Sequence, residues 1–191
     1  TPFTEANGYA LAGSYLNGQV VESFGGGICQ VSTTLYNAVL RAELQVDERA
    51  NHSMIINYVK PSEDAAIAEN GGKDFKFTNN TKYPIYIEGE TGGKSITFTI
   101  YGVETRDTGR TVSYESEVLS TTVPPADLII QDASQPIGFI QVQAVHIGYK
   151  ARLWKVVTEN GKEISRDQIN SSTYKAVPRT ATVGTMTADP N

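Results

Sequence analysis

A single thiol stands in this sequence of 191 residues. It is Cys29, and it follows Gly25-Gly26-Gly27-Ile28 where helical spacing begins. A cysteine in the first turn of a helix faces unpaired backbone N–H groups and the positive end of the helix dipole, both of which stabilise a thiolate. The glycines before it leave the sulfur unshielded and allow a substrate backbone to come close, so Gly26 and Gly27 are candidate substrate-binding positions. Gln30 is a third, able to join the Cys29 amide in holding an oxyanion. The other partners of a nucleophilic cysteine lie downstream. His52 is a candidate general base for the thiol, and Asp64 a candidate to orient the second ring nitrogen, with Asp74 and Glu63 as alternatives for that role.

Each of these residues also has a quieter reading. Free cysteine is among the most buried residue types and is often inert. His52 can serve as a surface or capping histidine, Asp64 as a turn carboxylate after Pro61-Ser62-Glu63, and Gln30 as a solvated first-turn residue. Ser32, Thr33 and Tyr36 share the helix face of Cys29 and are expected to be hydrogen-bonded structure. No pair among Cys29, His52 and the acids has the short spacing that makes zinc motifs specific, so no metal and no cofactor is expected. The triple glycine lacks the Lys-Ser or Lys-Thr of a phosphate loop. A thiol at a helix start followed by His and Asp has the order found in transglutaminase-like and papain-like cysteine enzymes, an analogy at the level of fold.

The elements that must position these residues fall into two parts. Apolar Ile28, Val31, Leu35, Ala38, Val39 and Ala42 line one face of a helix expected to end near Glu43. Before it, Asn17-Gly18 reads as a hairpin turn. After it, Met54 to Val59 reads as a strand stopped by Pro61. Asp74 to Thr78, Tyr83 to Glu88 and Ser95 to Tyr101 alternate as an antiparallel meander. The first part, 1–108, is therefore expected to be α+β, with one main helix packed on an antiparallel sheet. The second, 109–191, has no helical periodicity. Pro124-Pro125 breaks its first strand, and Asn160-Gly161 joins 151–157 to 162–165 as a hairpin, which predicts a small all-β domain with a thin core.

Composition narrows the classes of partner. Sixteen Lys and Arg against 21 Asp and Glu give a net charge of -5, and no basic stripe offsets it, so nucleic acid is not an expected partner. The apolar runs are only a few residues long, which excludes a helical membrane span in this segment. One cysteine excludes an intrachain disulfide framework. Residue 1 is Thr with no signal-like stretch after it, so the segment is expected to begin within a longer gene product or after processing.

Gly25-Gly26-Gly27-Ile28-Cys29-Gln30-Val31-Ser32-Thr33-Thr34-Leu35-Tyr36-Asn37-Ala38, Glu48-Arg49-Ala50-Asn51-His52-Ser53, Asp64-Ala65-Ala66 and Asp74 to Thr81 together resemble the VanW family across about residues 7–102. That family takes its name from an accessory gene of some vancomycin-resistance clusters. The resemblance implies an exported or membrane-anchored protein of a Gram-positive-type envelope and supplies no established reaction. Tyr114-Glu115, Asn160 to Arg166 and Val183-Gly184 resemble the small five-glycine domain of wall hydrolases and adhesins, with its glycine-rich middle reduced to Ile147-Gly148-Tyr149-Lys150. This second resemblance implies peptidoglycan or another N-acetylglucosamine-containing wall polymer as partner. Two functions are expected from these readings: a cysteine-dependent enzyme hydrolysing or transpeptidating peptidoglycan, or a non-catalytic wall-binding module serving vancomycin resistance or envelope maintenance.

Overall fold

The computed structural model describes residues 2–16, 19–69 and 72–186. After a 3-10 turn at Glu5–Asn7, the order is β1 Leu11–Leu16, β2 Gln19–Phe24, α1 Ile28–Arg41, β3 Gln45–Glu48, β4 Lys76–Thr78, β5 Tyr86–Gly92 and β6 Ser95–Tyr101. The second part contributes β7 Arg110–Thr122, β8 Leu128–Pro136, β9 Ile140–Gln143, β10 Gly148–Glu159, β11 Lys162–Tyr174 and β12 Thr180–Met186.

The α+β expectation is overturned for the chain as a whole. Strands take 53% of the fold and helices 9%, so it is mostly β with one α-helix set on small sheets. The strong periodicity of α1 carried more weight in the sequence than its 14 residues carry in the architecture. The meander is corrected too. β4 pairs antiparallel with β3, while β5 pairs with β6, so two separate two-stranded sheets replace one three-stranded sheet. Residues 54–59 form bends rather than a strand, because Met54 and Ile56 are buried as anchors of an irregular loop and not as one face of a sheet. β1 and β2 do pair as a hairpin. The proposed Asn17-Gly18 turn between them lies outside the described residues.

In the second part β10 is the centre of a long antiparallel sheet, β11-β10-β7. Asn160 at φ 50° and Gly161 at φ 80° make the tight turn between β10 and β11, where a primed turn matches the strand twist. A second sheet, β8-β12-β9, mixes parallel and antiparallel pairing. The core is shared between the two parts. Leu153 of β10 packs with Tyr36 and Leu40 of α1 and with Ala65, and Val46, Phe75 and Tyr114 close around them. The apolar face of α1 is thus buried against β10 as well as its own small sheets, which is where the main hydrophobic stabilisation arises. Tyr114 fastens the joint by donating its hydroxyl to the Leu40 carbonyl at the C-terminal end of α1.

Candidate active site

Cys29 is the second residue of α1 and is partly exposed. The helix begins on Gly27, whose φ of 85° is a left-handed conformation that side-chain-bearing residues rarely adopt. Space around Gly27 is open. Gly26 sits differently: a Cβ built there would lie 2.1 Å from the Ala12 carbonyl oxygen, so this glycine lets the turn pack on β1. Gln30 is exposed on the outer side of the helix start. The Ile28 amide donates to Gly25 O at 3.0 Å and the Gln30 amide to Gly27 O at 2.9 Å, and among the described residues the Cys29 amide has no such partner outside the helix.

The helix face beyond Cys29 stitches down the segment that carries Asp64. Ser32 Oγ donates to Ala65 O at 2.6 Å, Thr33 Oγ1 accepts from the Ala65 amide at 3.0 Å, and Asn37 Nδ2 donates to Glu63 O at 2.8 Å. Ser62, at φ 70° and fully buried, bends the chain into this position. The Ala50 to Ala66 bridge then lays the His52 segment beside it.

Asp64 is 0% exposed and both carboxylate oxygens are fully used. Oδ2 accepts from the His52 amide and from His52 Nδ1, each at 2.7 Å. Oδ1 accepts from Arg49 Nη2 at 2.7 Å and from the Tyr174 hydroxyl at 2.5 Å. Fixing Nδ1 in this way turns the other ring nitrogen, Nε2, toward exchange with a neighbour. Burial raises the Asp64 carboxyl, but the bonds from His52 and the charge of Arg49 outweigh it and hold the group below its usual range.

Cys29 and His52 act on each other. Burial pushes the thiol up, yet its interaction with His52 and the positive charges of His52 and Lys73 bring it below the ordinary thiol value. Burial pushes the imidazole down, and Asp64 and Cys29 override this, raising it to about 9. In the thiol form the proton is aimed at the Ile67 carbonyl, 3.3 Å away. Tyr15 and Tyr58 stand edge-on to the His52 ring at centroid distances of 6.3 and 6.4 Å, forming its aromatic walls.

The structure therefore joins His52 to Asp64 by direct bonds, sets Cys29 near enough for His52 to lower its thiol, and leaves the other two acids aside. Asp74 accepts from the Phe75 amide and lies 3.4 Å from Lys76, and Glu63 accepts from the Lys60 amide. Several contributors carry little signal in the sequence. Arg49 precedes His52 closely and could have been suspected as a counter-ion. Tyr174 and Ser172, which receives Arg49 Nη1 at 2.9 Å, lie on β11 with nothing local to mark them.

The protein is thus a two-part, mostly β chain in which Tyr174 of β11, from the second part, closes on the Asp64 carboxylate beside His52, with Cys29 at the start of the one α-helix. The chain belongs to the VanW family: the family described as VanW like protein matches residues 1–101, and the G5 domain matches 114–186. It is 44% identical over 98 residues to the uncharacterized protein YoaR of Bacillus subtilis (strain 168), an alignment covering 51% of this chain and 32% of that protein. The chain thus spans about a third of the relative's length. Two solved structures are similar to it at 21% identity. The IgA1 Protease G5 domain covers 41% of this chain and 94% of its own with a TM-score of 0.25, and HP0197-G5 covers 39% and 95% with a TM-score of 0.20. VanW and G5 families are typically extracellular cell-wall proteins, and G5 domains are associated with binding cell-wall polymers such as those of N-acetylglucosamine. No helix among the described residues is long and apolar enough to cross a membrane.

Proposed function

We propose that this chain is the thiol-dependent part of an extracytoplasmic envelope protein that hydrolyses or transfers an amide bond of peptidoglycan. The observation that carries this reading is His52 held through Nδ1 by the buried Asp64, close enough to Cys29 at the helix start to lower its thiol. In this reading the Cys29 sulfur attacks the amide carbonyl and a C–S bond forms. The carbonyl oxygen takes the negative charge next to the Cys29 amide, with Gln30 at hand. As the C–N bond breaks, His52 gives its proton to the leaving amine, and a thioester remains. Water, or a second amine, then attacks the thioester while His52 takes up its proton; the C–S bond breaks, the Cys29 thiolate leaves, and an acid or a new amide is released. Asp64 keeps the ring oriented throughout. The second part, matched by the G5 domain over residues 114–186, holds the wall polymer.

That match also supports the rival reading, a wall-binding module without turnover. One cysteine per chain makes the distinction direct, because a thiol-specific label reports Cys29 alone. Iodoacetamide should alkylate the native protein well below the ordinary thiol range near pH 8.5. On incubation with muropeptides, intact mass spectrometry should show an acyl adduct that Cys29→Ala lacks while its wall binding persists. An ordinary thiol titration with no adduct would leave only the binding role.

A further inference from the structure

We propose that Lys73 forms an anion-binding position beside Cys29, so that the acyl donor carries a carboxylate close to the bond attacked. The proposal deepens the thiol-enzyme reading and rests on it for the identity of that bond. The anion position itself rests on how Lys73 is held. Its backbone bridges to Ala68, whose amide donates to Lys73 O at 3.0 Å, and Ala68 follows the Ile67 carbonyl that faces the Cys29 thiol. From there the side chain crosses to the His52 segment, where Nζ donates to Asn51 O at 2.6 Å. The ammonium thus spans the two backbone segments that carry the partners of the sulfur, and its field reaches Cys29.

What Lys73 lacks is a counter-ion. Lys76 and Lys155 each meet a glutamate at 2.6 Å, whereas among the described residues Lys73 has no carboxylate within ion-pair distance. Asp64, whose charge acts on it, already accepts from His52, Arg49 and Tyr174. A half-buried ammonium without an opposing charge is unfavourable, and burial accordingly pulls its pKa down. One of its three protons is used by Asn51, which leaves donors for an incoming oxygen. Such an arrangement suits a group present only when substrate is bound. A carboxylate fits it in charge and acceptor number.

Two alkylating reagents that differ in charge test this without a known substrate. Iodoacetate carries a carboxylate next to its reactive carbon, and iodoacetamide does not. The ratio of their rates at Cys29 in the full chain cancels the thiolate fraction, which is common to both, and so isolates attraction for the anion. Lys73→Met is expected to lower the iodoacetate-to-iodoacetamide ratio about threefold or more, the size of one unit charge acting across a side-chain length in a water-like medium. Lys73→Arg should retain the ratio, and Lys73→Gln, which keeps a polar end, should behave as Lys73→Met. An unchanged ratio in Lys73→Met and Lys73→Gln overturns the proposal. The absolute iodoacetamide rate reports separately on the thiol reading, because a slow, ordinary thiol can still show the charge-dependent ratio.

Discussion

Asp64→Ala is expected to destabilise the protein by about 3–5 kcal/mol, the usual consequence of removing one partner of a buried ion pair. Asp64 is 0% exposed and the Arg49 side chain 6%, so the substitution strands a guanidinium that water cannot reach well. The same change takes the acceptor from three further donors, the His52 amide, His52 Nδ1 and the Tyr174 hydroxyl. Asp64→Asn should fail to rescue it, because an amide offers one acceptor oxygen where the site presents donors on both sides. Urea unfolding at pH 7 measures the difference. A loss below about 1 kcal/mol would mean that the cluster is far looser than its hydrogen bonds imply.

His52→Ala is expected to slow Cys29 alkylation at pH 6.5 by about tenfold or more, since the thiol then returns toward its ordinary value and little thiolate remains. The imidazole is the largest factor lowering the thiol, and Lys73 alone replaces only part of it. Equal alkylation rates for His52→Ala and the parent would remove His52 from any role at the sulfur. Proton linkage gives a companion expectation. His52 is raised to about 9 in the folded protein, so its contribution to stability is complete below the unfolded value near 6.5 and is lost as pH rises through the folded value. The coupled thiol acts in the opposite sense: its folded value is lowered, and its contribution is lost as pH falls. Cys29→Ala isolates the histidine. In that background the thiol's share of the raise is gone and the Asp64 share remains, so stability should decline more modestly as pH rises above 6.5, and adding His52→Ala should flatten the decline; a flat profile in Cys29→Ala alone would mean that burial of the ring offsets the Asp64 contact.

Local pattern was a good guide to some of this and a poor one to the rest. Apolar spacing from Ile28 to Ala42 located α1, and the helix start placed Cys29 where an N-terminal dipole acts on it. The hairpin at Asn160-Gly161 was readable because positive φ at two successive positions demands such residues. Met54 to Val59 misled, since apolar residues in an irregular loop that anchors into a core look like a strand until the core is known. The same is true of Lys76 to Thr78: alternation says that it is a strand but not that its partner is β3 rather than β5. Within the candidate site, three acids competed on paper for one place beside His52. Only burial and the Ser62 turn distinguish them, and neither has a local signature.

The bond from Tyr174 to Asp64 spans 110 positions of chain. A polypeptide leaving the ribosome or an export channel in N-to-C order presents Cys29, His52 and Asp64 early, but cannot complete the ligation of the carboxylate until β11 has followed. The contact is of high sequence separation, the slowest kind to form. The carboxylate that orients His52 therefore acquires its last donor only when β11 docks, long after the residues that act on the thiol have been made.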